Sequence, residues 1–259
     1  MIFAAYMEKV HEFVDRLQEA GRSVKVWDAP VSGLLDNLPV AVGAGANRGI
    51  ILRGDTYAEL GNPEAGSAMV SLFTQEAGLV QDGRITLIGP DIDSIGGQSL
   101  PFGQVVLVGG KELQNDDYEK LQRAAIVGDR IEGYLMRSLP QNIWSRVSKD
   151  AAAKGFSFES LGKALMLLYR AENPKIEAME VVFVTSGKED VKELGELAAQ
   201  VRKISREMVR ENWKIKGYDI DCSQNCSACA DKPVCDDIRE VMLEKEAKAS
   251  RIENNRELI

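Results

Sequence analysis

The 259-residue chain has a single histidine, His11, and no cysteine before residue 222. One histidine, set on the polar side of an N-terminal helix, leaves no credible Ser-His or Cys-His catalytic set. No run reaches the roughly 18 apolar residues of a membrane span, so no membrane association is expected. The first twenty residues have no basic start, apolar centre or cleavage site. They do not read as a secretory leader, and the expected location is cytoplasmic. Basic residues are in deficit, with 32 Lys and Arg against 40 Asp and Glu and a net charge of -8. That balance argues against binding nucleic acid through bulk charge. Aromatic residues are few, at 6%, but hydrophobic residues reach 44% and charged residues 28%. A chain of this length and composition buries a core in one or two domains.

Local patterns mix helices and strands. Val10, Phe13, Val14 and Leu17 recur at helical spacing, predicting an amphipathic helix over 5–20 with Gly21 as its stop. Residues 23–27 alternate as a strand does. The Gly-, Pro- and Asn-rich residues 29–66 read as loops and short strands, with apolar pieces at 40–42 and 50–52. Gly43 to Gly49 is read as a turn, because a dinucleotide loop needs a helix after its glycines. Strands are predicted over 69–73, 85–88 and 104–108, the last with a continuous apolar run at 105–108 suited to burial on both faces. Asp91 and Asp93 read as turn and cap residues.

Asn115, Asp116 and Asp117 are placed to cap a helix whose apolar face carries Tyr118, Leu121, Ala125, Ile131 and Leu135. A strand over 142–147, short helices over 149–154 and 157–171, and a strand over 179–185 follow. Ser186 and Glu189 form a capping-box signature that opens a helix to about residue 213. A last helix is predicted over 234–250. Regular strand-helix-strand alternation is missing, so the expected class is α+β: a mixed sheet with flanking helices and a C-terminal cysteine-rich iron-sulfur appendage. The expected divisions are residues 1–47 as a helix and irregular lead-in, 48–216 as the α+β domain, and 217–259 as cluster loop and final helix.

All four cysteines, Cys222, Cys226, Cys229 and Cys235, fall within 14 residues. A secreted disulfide scaffold spreads its cysteines, whereas clustered thiols read as a metal site. Thiolates are soft ligands that select zinc, copper(I) or iron-sulfur centres. Structural zinc usually spaces two cysteine pairs a dozen or more residues apart, and this whole set is more compact. The spacing fits a [4Fe-4S] cluster better, with zinc or disulfides as the alternatives. Residues 202–216 carry Arg202, Lys203, Arg206, Arg210, Lys214 and Lys216 against Glu207 and Glu211. Such a helix is suited to dock an acidic electron carrier such as ferredoxin, or is simply a solvated face.

Several stretches carry a resemblance: residues 55–61 (DTYAELG), 82–92 (DGRITLIGPDI), 100–103 (LPFG), 106–114 (VLVGGKELQ) and 143–156 (IWSRVSKDAAAKGF). In order and spacing the chain from about 48 to 235 resembles the acetyl-CoA synthase (beta) subunit of the carbon monoxide dehydrogenase/acetyl-CoA synthase complex. The resemblance implies an α+β middle domain followed by a nickel-iron-sulfur centre. Cys226 and Cys229 match that centre's Cys-x2-Cys pair, and Cys235 matches its third cysteine. Cys222 lies upstream of the family's pattern, and the Cys-Gly-Cys motif that holds nickel is missing, so nickel is not expected. The resemblance also implies coenzyme A binding around a tryptophan. Trp144 matches that position, with Arg146 and Lys149 near enough to meet phosphates. Against this stands the simpler reading of Trp144 as a core strand residue and Arg146 as a surface charge.

The combined reading is a [4Fe-4S] protein in electron transfer or accessory service to anaerobic one-carbon or corrinoid metabolism. One alternative is a beta subunit that makes acetyl-CoA together with other chains, its partners being corrinoid and carbon monoxide dehydrogenase subunits. If it is an enzyme, the resemblance implies a CO-methylating acyltransferase. Another alternative is a zinc-stapled interaction module. Metal analysis of anaerobically prepared protein is expected to give about four irons and four acid-labile sulfides per chain; stoichiometric zinc without sulfide would refute the cluster.

Overall fold

The computed structural model describes residues 3–215 except 48, 97, 125–129 and 140–141. The four cysteines and the helix predicted over 234–250 lie outside the described residues. The helices are α1 (Ala4–Glu19), α2 (Asp117–Ala124), α3 (Lys149–Ala153), α4 (Phe158–Glu172) and α5 (Lys188–Ile215). The strands are β1 (Val24–Asp28), β2 (Thr56–Leu60), β3 (Ser67–Thr74), β4 (Arg84–Ile88), β5 (Ser99–Leu100), β6 (Phe102–Gly109), β7 (Tyr134–Leu139), β8 (Asn142–Ser148) and β9 (Ala178–Val184). Residues 3–212 belong to one compact unit, to which α1 contributes buried core residues and against whose core Val24 and Trp27 of β1 pack.

A five-stranded sheet runs β1-β4-β9-β6-β3 and a four-stranded sheet runs β5-β2-β8-β7. Both are mixed. In the larger, β4 pairs parallel with β9 and β3 parallel with β6, while β1 and β9 pair antiparallel with β4 and β6. The α+β expectation with a mixed sheet therefore holds, divided over two sheets. Every residue of β6 and β9 is buried, as expected of predominantly apolar strands in the middle of a sheet.

Strand alternation decides what each face meets. Gly103 of β6 lies against Leu194 of α5. Glu180 of β9, on that same face through its pairing with Leu107, meets His11 of α1. Gly162 of α4 lies against Ile85 on the opposite face. There Phe102, Phe158 and Phe183 form an aromatic cluster with ring centroids 5.0–6.1 Å apart. The start of α4 is fixed twice. Ser157 and Ser160 form a capping box, and Asp91 Oδ1 accepts from the Phe158 amide at 3.0 Å and the Ile92 amide at 2.8 Å. Asp91 is thus the cap residue its loop position predicts.

Three local expectations fail. The helix after Asn115 is described over Asp117–Ala124, and Leu135 lies outside it in β7, paired with Arg146 of β8. The chance helical spacing of Ile131 and Leu135 is overridden by tertiary pairing: Ile131 bridges to Val42 and Leu135 joins the β7–β8 hairpin. Residues 50–52 form no strand; Ile50 and Leu52 are exposed, and the strand is β2, which finds its partner in β8. Ser186 bonds Asp190 rather than Glu189, which points to solvent; the hydroxyl takes the carboxylate one position further on, and Asp190 in turn holds Arg22.

Gly61, directly after β2, packs against Ser67 of β3 and Phe102 of β6 in the other sheet. Its φ is +70°, and a Cβ there would stand 2.2 Å from the Ile143 carbonyl oxygen. Glycine alone permits both the backbone angle and the approach.

The pair of buried Glu180 and half-buried His11 gives the fold a pH response. Glu180 Oε2 lies 3.1 Å from His11 Nε2 and also accepts from the Gln81 amide at 3.2 Å. The hydrogen bond to Glu180 raises the His11 pKa above 6.5; burial and Arg84 oppose it, and the charges of Glu180 and Asp15 add to it. A raised folded pKa means the contribution is complete below the unfolded value and is lost as pH rises through the folded one. Denaturant midpoints are expected to fall as pH climbs from about 6.5 toward 8, and a His11→Gln chain is expected to lose that dependence.

Candidate functional site

The four-stranded sheet has one buried and one open face. Ala58, Leu60, Tyr134, Met136, Ile143 and Val147 point into the core. The alternate residues of β2 and β8, Tyr57, Glu59, Trp144 and Arg146, stand on the other face. Glu59 and Arg146 are directly opposite in the register. Trp144 is 36% exposed, so it is a surface residue of this face and not part of the core.

Glu59 organises the face. Its Oε1 accepts from Trp144 Nε1 and from Arg146 Nε, each at 3.1 Å. Its Oε2 accepts from Asn62 Nδ2 at 3.3 Å and Ser99 Oγ at 3.2 Å. The Arg146 guanidinium carbon lies 5.1 Å from the Trp144 ring centroid, within cation–π range. Burial alone would push the Glu59 carboxyl up; hydrogen bonds from Asn62, Arg146, Trp144 and Ser99 outweigh it and hold the pKa below the ordinary value. The carboxylate is therefore charged at neutral pH. Beside it is a small pocket of about 90 Å³ lined by Ile50, Leu135, Trp144, Ser145 and Arg146.

The structure brings Trp144 and Arg146 together and sets Lys149 apart. Lys149 opens α3 and donates to the Gly54 carbonyl at 2.7 Å. It lines a different cleft of about 440 Å³ with Tyr57, Asp93 and Phe156. Sequence reasoning missed Glu59, Ile50 and Leu135. The alternation of Tyr57 and Glu59 within residues 55–61 was the available signal for the first. His11 stays with Glu180 on the five-stranded sheet and takes no part here. Among the described residues no group of three His, Cys, Asp or Glu side chains is placed to hold a metal ion, and no helix is long and apolar enough to cross a membrane.

This geometry offers a flat indole, an aligned guanidinium and an apolar hollow on one face. A sequence profile of the CO dehydrogenase/acetyl-CoA synthase complex beta subunit matches residues 38–191. The chain belongs to this family. It is 33% identical over 178 residues to acetyl-CoA decarbonylase/synthase complex subunit beta 1 of Methanosarcina thermophila, covering 67% of the chain and 36% of the relative. The Archaeoglobus fulgidus beta subunit is 32% identical over 183 residues, 69% of the chain and 34% of the relative. The Methanocaldococcus jannaschii subunit beta 2 is 31% identical over 200 residues, 76% and 40%. The chain thus spans little more than a third of the length of these curated relatives. The family match contains Glu59, Trp144, Arg146 and Lys149 and ends before the cysteines.

The exposed position of Trp144 has a stability consequence. Ile143→Ala, which empties a fully buried site, is expected to cost about 2–5 kcal/mol. Trp144→Ala is expected to cost about 1 kcal/mol, because its hydrogen bond and ring contact are partly solvated. Urea denaturation of the two variants measures the difference; equal costs would return Trp144 to the core.

Proposed function

We propose that the chain serves as a beta-type subunit of a multi-subunit assembly acting on acetyl-CoA, with the open face of the four-stranded sheet taking the coenzyme A moiety. The single observation that carries this is Trp144 and Arg146, side by side on the exposed face and fixed by one carboxylate. An indole face accepts a flat heterocycle, and a guanidinium offers paired N–H donors to phosphate oxygens. The Ile50 and Leu135 hollow is suited to an apolar portion of the ligand. Glu59 keeps ring and cation in register, so little conformational freedom is lost on binding. The names of the relatives, all acetyl-CoA decarbonylase/synthase subunits, support a role inside such a complex, with corrinoid and carbon monoxide dehydrogenase subunits as partners.

The second reading is service in electron transfer, and it rests on the cysteine spacing. Cys222, Cys226, Cys229 and Cys235 are the residues that would hold a [4Fe-4S] cluster, and four soft thiolates suit that group. When bound, the cluster supplies one-electron chemistry. Lys203 and Arg206 of α5 are exposed and suited to an acidic carrier such as ferredoxin. The relatives' names weigh toward the complex-subunit role over free-standing electron transfer. The two roles are compatible in one chain.

Titration of the full chain with coenzyme A under anaerobic conditions is expected to give saturable quenching of tryptophan fluorescence. Trp144→Ala is expected to weaken binding by about tenfold or more. Calorimetry finding no coenzyme A binding to the folded, unmutated chain would remove the ligand assignment.

A further inference from the structure

The open face differs from an ordinary phosphate site in one respect: its cation is already neutralised. Arg146 Nε and Glu59 Oε1 are 3.1 Å apart, and the two side chains are 25% and 24% exposed. A pair this far withdrawn from water is screened less than a surface ion pair. The same carboxylate oxygen takes the Trp144 indole N–H. Asn62 and Ser99 hold the other oxygen, so the carboxylate is tied at both ends and does not swing away from the cation. Lys149, in the separate cleft, is turned to the Gly54 carbonyl and adds no charge to this face.

We propose that Glu59 is the specificity-determining residue of this face: by holding Arg146 against Trp144 and cancelling its charge, it makes binding depend on a flat ring joined to phosphate and rejects phosphate presented alone. The inference rests on the coenzyme A reading of the face. An anion approaching Arg146 also meets the Glu59 carboxylate, so its net electrostatic gain is small. A ring stacked on the indole gains dispersion and desolvation that the carboxylate does not oppose. Phosphate tethered to such a ring through a sugar is then held by the remaining guanidinium N–H groups without needing a net positive site. Discrimination against abundant inorganic phosphates follows from a charge placed to repel them.

The test uses the full chain with Trp27→Phe and Trp213→Phe, so that Trp144 is the only fluorescent indole. Pyrophosphate and coenzyme A are titrated separately into this chain and into its Glu59→Gln and Glu59→Ala variants. Both variants are expected to bind pyrophosphate about tenfold more tightly than the parent, as removal of an opposing charge from a partly buried cation implies. The preference for coenzyme A over pyrophosphate shrinks accordingly. Glu59→Gln retains an amide oxygen for the indole and is expected to leave the Trp144 emission maximum in place. Glu59→Ala loses that acceptor and is expected to shift it, so the emission maximum reports the positioning of the ring, while tighter pyrophosphate binding, which a merely structural role for Glu59 would not produce, reports the charge. Pyrophosphate affinity unchanged within about twofold in both variants overturns the proposal. If coenzyme A fails to bind the parent while Glu59→Gln still tightens pyrophosphate, the coenzyme A reading falls and the charge-cancelling role of Glu59 stands.

Discussion

A strand buried on both faces has no water to turn to, so each of its peptide groups must be matched by a neighbouring strand and each side chain by a helix. β6 and β9 are in this position along their whole lengths, and the arrangement of the rest follows from them. Their antiparallel pairing from Gly103–Val184 to Gly109–Ala178 fixes the register of the five-stranded sheet. That register sets Phe102 and Phe183 toward α4 and Glu180 toward α1. β3 and β4 then add parallel to the two sides.

Polar groups inside this frame act as joints. Glu180, 3% exposed on β9, would be costly alone; His11 and the Gln81 amide satisfy it and so tie α1 and the turn before β4 to the sheet. Asp91 does similar work at the start of α4. Gly61 is the joint to the second sheet. Its missing Cβ lets β2 pass beside the Ile143 carbonyl. That passage brings Glu59 opposite Arg146, and the face that carries the candidate site depends on it.

The site itself is a case of one carboxylate setting the chemistry of two neighbours. Trp144 and Arg146 are ordinary surface residues as single side chains. Bound to a common oxygen atom they become an oriented ring and an oriented cation. The family match spans this cluster and stops short of the cysteines. The candidate ligand face and the four-cysteine cluster therefore lie in separate stretches of the chain.

Much of the fold was legible in sequence because it rests on period. The 3.6-residue spacing of Val10, Phe13, Val14 and Leu17, the apolar run at 105–108 and the largely apolar strand over 179–184 are local facts, and local facts survive folding. The residues of the resemblance were likewise enough to place the chain in its family. What period could not decide was pairing. Thr56–Leu60 became a strand and residues 50–52 did not, because β8 offers its hydrogen bonds to one and not the other. Leu135 left its apparent helix for β7 for the same reason. Glu59 was invisible as a site residue because its partners lie 85 and 87 positions away. The sequence by itself determined the class, the core strands and the clustering of four thiols. Only the tertiary structure decided which face Trp144 and Arg146 share and which carboxylate holds them, since a cross-strand contact is made by register and register is a property of the whole sheet.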